Sequence, residues 1–236
     1  MTPTQKIELT HCFEPQIRQF GGPIFFTTSQ ETPLSGITAS GSFGLVDTGR
    51  KKLLVTCYHV RETFQQERSA HPDLSMWICF NTTKPVAFAP ERPVDGDRRF
   101  DIATFEIDPA PVVSGGREFF PLDRIPAPPI AVDDSVGFIG FPGYLRSVVD
   151  DKLGFGRQPY GVCVQSVDGL RFHADVSKMV TEPDHLRGIS GSPCFKLRSG
   201  RPIQLVGFAT AHAIGHLCFS HARCLNADGS IVRTVK

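Results

Sequence analysis

The sequence predicts an all-β protein of two antiparallel six-stranded β-barrels with a cleft between them. Three observations predict it. From Gly22 onward the chain runs as short apolar stretches, punctuated by turn residues drawn from 22 glycines and 19 prolines. Residues 117–134, REFFPLDRIPAPPIAVDD, set four prolines between two strand-rich halves of similar size. Finally, Gly188–Pro193 reads GISGSP, a run of small residues that neither a helix nor a strand interior accommodates, so a loop is presented there. At 236 residues the chain has ample core for two small β domains without covalent staples.

Residues 1–21 are polar and poorly patterned and read as an N-terminal arm. The first barrel is expected over 22–116. Its strands begin with Pro23–Phe26, Gly41–Val46 and Leu53–Thr56, the last two joined by a hairpin turn over Asp47–Lys51. Val60–Glu67 is the one early stretch that suits a helical turn or two. Met76–Phe80, Val86–Ala89 and Ile102–Ile107 bring the count to about six, enough to close a small barrel. After the 117–134 linker, the second barrel is expected over 135–236. Its strands are Ser135–Phe141, Gly161–Val167, Arg171–Ala174, Lys178–Thr181, Cys194–Leu197 and Gln204–Thr210. Leu217–Leu225 and Ile231–Val235 close it around an Asp228-Gly229 turn. No repeat is visible at the level of residues.

A net charge of +1 without a basic run gives no nucleic-acid footprint. The N-terminus lacks a continuous apolar stretch for a signal peptide, and no segment approaches the roughly 18 apolar residues of a membrane span. Seven cysteines, an odd number without repeating spacing, suit reduced and mostly buried thiols in a cytoplasmic compartment.

The GISGSP loop carries the hydroxyl of Ser190 at its tip. A serine hydroxyl becomes a nucleophile only with an adjacent base and with donors for the oxyanion that attack creates. His59, in Leu54–Val60 (LVTCYHV), lies where a strand gives way to a helical turn. Alone it reads as a buried histidine bonded to a backbone carbonyl. Asp101, in RRFDIA, opens an apolar strand. Alone it reads as an ion-pair partner of Arg98 or Arg99, or as a turn cap. The order His, Asp, Ser, with two of the three at strand ends, gives the trio its weight.

LVTCYHV resembles the LVTAAHV-type histidine motif of the trypsin-like serine peptidases, DIATFEI their DIAL-type aspartate motif, and GISGSP their GxSGGP-type serine motif. The separations of 42 and 89 residues suit that family. Gly41–Val46 is similar to its opening strand, Ile139–Gly143 to the IGNP-type turn of HtrA-like members, and Gly207–Ala211 to their GINTA strand. The resemblance implies the chymotrypsin fold with Ser190 as nucleophile, His59 as general base and acid, and Asp101 holding the imidazole. It also implies an oxyanion hole from the backbone N–H groups of Gly188 and Ser190, and no cofactor. Thr210 takes the place of a residue that supports the aspartate and lines the primary substrate pocket. Unlike in HtrA proteins, no PDZ domain is expected after the barrels.

Ile189 stands where the secreted digestive branch has an acid that pairs with a freshly cut N-terminus, so activation by that salt bridge is not expected. Val60 follows His59 in place of a disulfide cysteine. Asp184, six residues before Ser190, matches the pocket-base acid of trypsin and would select Arg or Lys. Equally it is a solvated loop carboxylate beside His185 and Arg187. His212 falls at the pocket wall, where trypsin has glycine.

The cluster His212, His216, Cys218, His221 and Cys224 has the ligand types of a zinc site. Ala213, Ile214, Leu217 and Phe219 interleave it as in ordinary strands, and no metal is expected. Cys194 reads as a core thiol on the strand after the loop, not as a rival nucleophile. The expected function is a serine endopeptidase of narrow specificity acting on a protein or peptide substrate, with a regulatory protein partner a further expectation. The alternatives are a catalytically inactive barrel pair serving as a peptide-binding scaffold, and a viral-type processing protease with a structural zinc.

Overall fold

Alternating short runs and turns become sixteen strands among the described residues of the computed structural model, which are 12–28, 40–80, 85–149, 152–177, 186–198, 200–213 and 215–233. The first half supplies β1 (Gly21–Thr27), β2 (Ser40–Asp47), β3 (Lys52–Thr56), β4 (Ser75–Cys79), β5 (Pro85–Phe88), β6 (Asp95–Asp97), β7 (Ile102–Glu106) and β8 (Phe120–Pro121). They form one eight-stranded sheet in the order β5-β4-β1-β2-β3-β7-β6, with β8 pairing in parallel against β2. The hairpin expected at Asp47–Lys51 is present, with Asp47 opposite Lys52. Helix α1 (Tyr58–Ala70) is longer than the turn or two expected and sits on the sheet through buried Val60 and Phe64, four residues apart on one face. A short helix α2 (Pro109–Ser114) follows β7, its first turn capped by the Asp108 side chain.

The second half contains β9 (Ser135–Gly140), β10 (Arg146–Val149), β11 (Lys152–Phe155), β12 (Gln158–Asp168), β13 (Arg171–Asp175), β14 (Pro193–Lys196), β15 (Gln204–Ala213) and β16 (His216–His221). Six of these close an antiparallel barrel, β12-β13-β16-β15-β14-β9, and β10 and β11 form a separate hairpin. The strand expected at 178–181 lies outside the described residues.

Three apolar clusters fill the molecule. One lies within the first sheet and another within the barrel, around Phe138, Phe172 and Phe219. The third joins the halves, with Val46, Leu53 and Val55 from the first and Phe141, Phe195 and Phe208 from the second. The described part of the arm belongs to this joint. Residues 12–17 are helical and run into a 3-10 turn, Arg18–Phe20. Phe13, Ile17 and Phe20 are all buried, at the i, i+4, i+7 spacing of one helix face. The Phe20 ring packs edge-on against Phe120 at 5.3 Å and beside Phe195 at 5.8 Å.

The last described residues return to the first sheet. After a 3-10 turn at Ala222–Cys224, a single bridge pairs Leu225 with Ile231. Between them, Thr48 donates its hydroxyl to Ala227 O at 2.6 Å, and Thr104 donates to Gly229 O at 2.7 Å. Ile231 N–H donates to Asp95 Oδ2 at 2.8 Å, Arg233 pairs with Asp95 Oδ1 at 2.6 Å, and Arg99 donates to Arg233 O at 3.0 Å. The strand expected at Ile231–Val235 is thus a strap across β6 and β7, its last two residues lying outside the described part. All seven cysteines are free thiols, and no described helix is long and apolar enough to cross a membrane.

Candidate active site

The first turn of α1 begins beside the end of β3, with Cys57 extended as its N-cap. N–H groups in a first turn have no partner inside the helix. Asp101 supplies one: its Oδ1 accepts from His59 N–H at 2.9 Å, and its Oδ2 faces His59 Nδ1 at 2.7 Å. A carboxylate only accepts, so the Nδ1 proton points to Asp101 and Nε2 is left with its lone pair for chemistry. The imidazole is 46% exposed and the carboxylate 17%, so the ring is open to solvent and the carboxylate that holds it is not.

Asp101 has a left-handed backbone, φ 53, a conformation that aspartate tolerates better than most residues. The turn that imposes it is tightly held. Asp97 Oδ1 accepts from Arg99 N–H at 2.7 Å and Phe100 N–H at 3.2 Å, and Ser220 bonds Phe100 O from the barrel. The arginines that sequence offered as ion partners turn elsewhere. Arg98 pairs with Glu62, and Arg99 reaches Asp97 and the C-terminal strap. The carboxylate is thereby left to His59.

The Ser190 loop depends on two glycines with positive φ, +96° at Gly188 and +97° at Gly191. A Cβ on Gly191 would stand 2.0 Å from Ser42 O, and one on Gly188 2.7 Å from Phe141 O, so both positions also require the missing side chain. Ser42 on β2 reaches across from the first sheet. Its N–H donates to Ser190 O at 2.8 Å and its hydroxyl to Gly188 O at 2.7 Å. Gly143 N–H donates to Arg187 O at 3.0 Å. In a trans peptide the C=O and N–H point in opposite directions, so this bond turns Gly188 N–H away from Gly143. Among the described residues neither Gly188 N–H nor Ser190 N–H has an acceptor, and no hydrogen bond joins Ser190 Oγ to His59. Ile189, between them, is buried at 1% exposure, with its Cγ2 where a Cβ on Gly140 would stand.

Other sequence-predicted residues fall less centrally. Pairing of β15 with β16 slips between Ala209 and Ala211, so Thr210 sits in a bulge and its hydroxyl donates to Cys218 O at 3.2 Å. No hydrogen bond joins it to Asp101 among the described residues. His212 lies on β15 opposite Leu217, its side chain outside the described part, and Asp184 lies outside it altogether. Of the tail cluster, His216 is exposed at the start of β16, and Cys218 pairs across to His173 and Ala211. His221 is buried, and its Nδ1 accepts from Arg223 N–H at 3.0 Å. Burial, with Arg223 adding to it, pushes its pKa down to about 4. Burial pushes Cys224 up to about 12, and raises Cys194 well above its ordinary value, which leaves Cys194 a protonated core thiol.

The residue that sequence reasoning missed is Cys57. Its side chain is fully buried, and its Sγ lies 3.2 Å from Ala209 O. Burial, and then the neighbouring Asp101 charge, hold its pKa well above the ordinary thiol value. Cys57 Sγ, a His59 nitrogen and an Asp101 oxygen lie within 4.8 Å of one another. A cation there would have to break the short Nδ1–Oδ2 contact and ionise a buried thiol, so hydrogen bonding describes the trio better. The signal was present in LVTCYHV, where Cys57 replaces the first alanine of the LVTAAHV-type motif.

No family model matches the sequence, and no curated protein does. Solved structures do. A thermostable serine protease, AL20, from an extremophilic microorganism is similar with a TM-score of 0.54 at 11% identity, over 86% of this chain and 91% of that one. Deg5 is similar with a TM-score of 0.55 at 14% identity, over 92% of this chain and 90% of that one. At such identities the likeness establishes the fold: this chain is built as the trypsin-like serine proteases are.

Proposed function

We propose that this chain, on the fold of the serine proteases, is a serine endopeptidase that works through His59, Asp101 and Ser190. The observation that carries the reading is the double hold of Asp101 on His59, which turns the Nδ1 proton to the carboxylate and, in the neutral ring, leaves Nε2 to accept. Ser190 Oγ would attack the scissile carbonyl and pass its proton to Nε2. The tetrahedral oxyanion would draw on the N–H groups of Gly188 and Ser190. His59 would then return the proton to the leaving amine, giving an acyl-enzyme on Ser190 that water hydrolyses by the same steps in reverse. Apo geometry in such sites is often loose and tightens when substrate binds, which accommodates the missing Ser190–His59 bond. Asp184, by its resemblance in sequence to the pocket-base acid of trypsin, would favour Arg or Lys before the cut. Seven free thiols support a reducing, cytoplasmic compartment.

The unbonded Ser190 hydroxyl also favours a second reading, an inactive peptide-binding scaffold. A serine-directed fluorophosphonate probe separates the two. The peptidase reading expects one label per chain, lost in Ser190→Ala and in His59→Ala, with turnover falling by about 10⁶ in Ser190→Ala. A folded wild-type chain that takes no label and cleaves no member of a peptide library would establish the scaffold.

A further inference from the structure

We infer that Cys57 is a positioning residue: its buried thiol, packed beside the loop that carries Ser190, gives its one proton to the Asp101 carboxylate. Three observations lead there. The carboxylate has about four acceptor positions, and His59 fills two of them, one on each oxygen. Among the His, Cys, Asp and Glu side chains of the described residues, Cys57 is the one clustered with Asp101 and His59, and it is wholly buried, so no water substitutes for it. The third is the closeness of the serine loop: Cys57 Sγ lies 3.2 Å from Ala209 O, the carbonyl that accepts from Gly191 N–H at 2.7 Å.

The thiol has a single proton and two kinds of acceptor near it: the Asp101 carboxylate, and the backbone carbonyls of Ala209 at 3.2 Å and Thr210 at 3.7 Å. Of the two, the ionised carboxylate draws a donor more strongly than a neutral carbonyl. A sulfur that offered Asp101 only lone pairs would repel it in a site without solvent. The sulfur therefore spans the acid that orients His59, to which it donates, and the carbonyl that holds Gly191, against which it packs. In effect it carries the contact that Thr210 does not make, because the bulge aims the Thr210 hydroxyl at Cys218 O. The span crosses between the two halves, since Asp101 belongs to the first sheet and Ala209 to the barrel.

The kinetic part of this inference rests on the serine-peptidase reading; the hydrogen bond does not. The experiment therefore has two arms on the full chain. In the first, Cys57→Ala should lower kcat for a matched peptide about 10–100-fold with KM unchanged, and Cys57→Ser should recover most of the loss by restoring a donor. An equal loss in both variants, or none in Cys57→Ala, would overturn the inference. The second arm reads the S–H stretching band by infrared difference spectroscopy, with no need of activity. Asp101→Asn should shift one S–H band, and that shift should vanish when Cys57 is also replaced by serine. A band that stays put overturns the hydrogen bond even in an active enzyme. A band that moves in a chain without peptidase activity would sustain the hydrogen bond and remove the serine-peptidase reading instead.

Discussion

Ser42 holds the peptide of Gly188 from the opposite half of the molecule, its hydroxyl donating to Gly188 O at 2.7 Å. The same residue's N–H holds Ser190 O, so one β2 residue fixes the peptides that directly follow Gly188 and Ser190, the two residues whose N–H groups would receive the oxyanion. Ser42 is itself fixed, because its carbonyl accepts from the Thr56 hydroxyl at 2.8 Å.

Ser42→Ala should therefore lower kcat more than it raises KM, by about tenfold, while the chain stays folded. Leaving one buried carbonyl unpaired costs about 1–3 kcal/mol, a share of the stability that a domain this size withstands. Peptide kinetics beside a thermal melt checks it; unchanged kcat would show that the loop is set by its glycines alone.

Asp101→Asn keeps the side-chain shape and tolerates the left-handed backbone, but it offers His59 Nδ1 an amide in place of a carboxylate. In a triad of this type the exchange costs about 10⁴ in turnover, chiefly through the wrong imidazole tautomer. The expected outcome is a loss of that order with little change in melting temperature. A loss under tenfold would remove Asp101 from the mechanism.

Ile189 replaces charge with packing as the support of the Ser190 loop. Placing aspartate there would bury a carboxylate among Phe138, Tyr160 and Leu186, at a cost of about 3–5 kcal/mol unless a partner reached it. Ile189→Asp should melt well below the wild type and should not gain activity when the chain is trimmed to begin at Gly21. Trimming the wild type should lower its stability too, because Ile17 and Phe20 leave the joint between the halves and the buried Phe13 goes with them. A rate gain that required a free α-amino group would contradict both expectations.

His221 predicts an acid-sensitive fold. Its ordinary pKa is 6.5, and in the folded chain it is about 4. Below 6.5 the unfolded chain takes up a proton that the folded chain refuses until about pH 4, so stability is complete above that window and falls as pH drops through it. A displacement of this size corresponds to about 3 kcal/mol. Urea unfolding at several pH values between 7.5 and 4 should show this fall in the wild type and a shallower one in His221→Gln. Equal slopes would assign the acid sensitivity to other groups.

What the sequence made legible is what local patterning encodes. LVTCYHV, DIATFEI and GISGSP are short, contiguous and placed at strand ends, so the contact between His59 and Asp101 could be anticipated across 42 residues. The barrel strands were legible for the same reason, being apolar runs bounded by Gly and Pro. The hairpin of β10 and β11 was not, because its strands are four residues each and the proline- and glycine-rich flanks read as loop. The arm was passed over although Phe13, Ile17 and Phe20 carry a helical spacing, since three apolar residues among polar ones fall short of a convincing stripe. The orientation of Thr210 follows from a bulge, a property of two strands together that neither one spells out. Cys57 was overlooked for a related reason: a buried cysteine is ordinary until its neighbours are known.

The strap formed by residues 225–233 has a consequence in time. It anchors Asp95 and Arg99, on the stretch of chain that leads into Asp101, and it is synthesised after every residue it anchors. A nascent chain can therefore complete β1 to β7 and expose its histidine while the aspartate turn still lacks this support. Under the peptidase reading, competence would arrive only once residues 225–233 have left the ribosome and docked. A protein fused or tethered beyond residue 233 would meet the same requirement, and its linker would have to let the strap lie down before the triad could form.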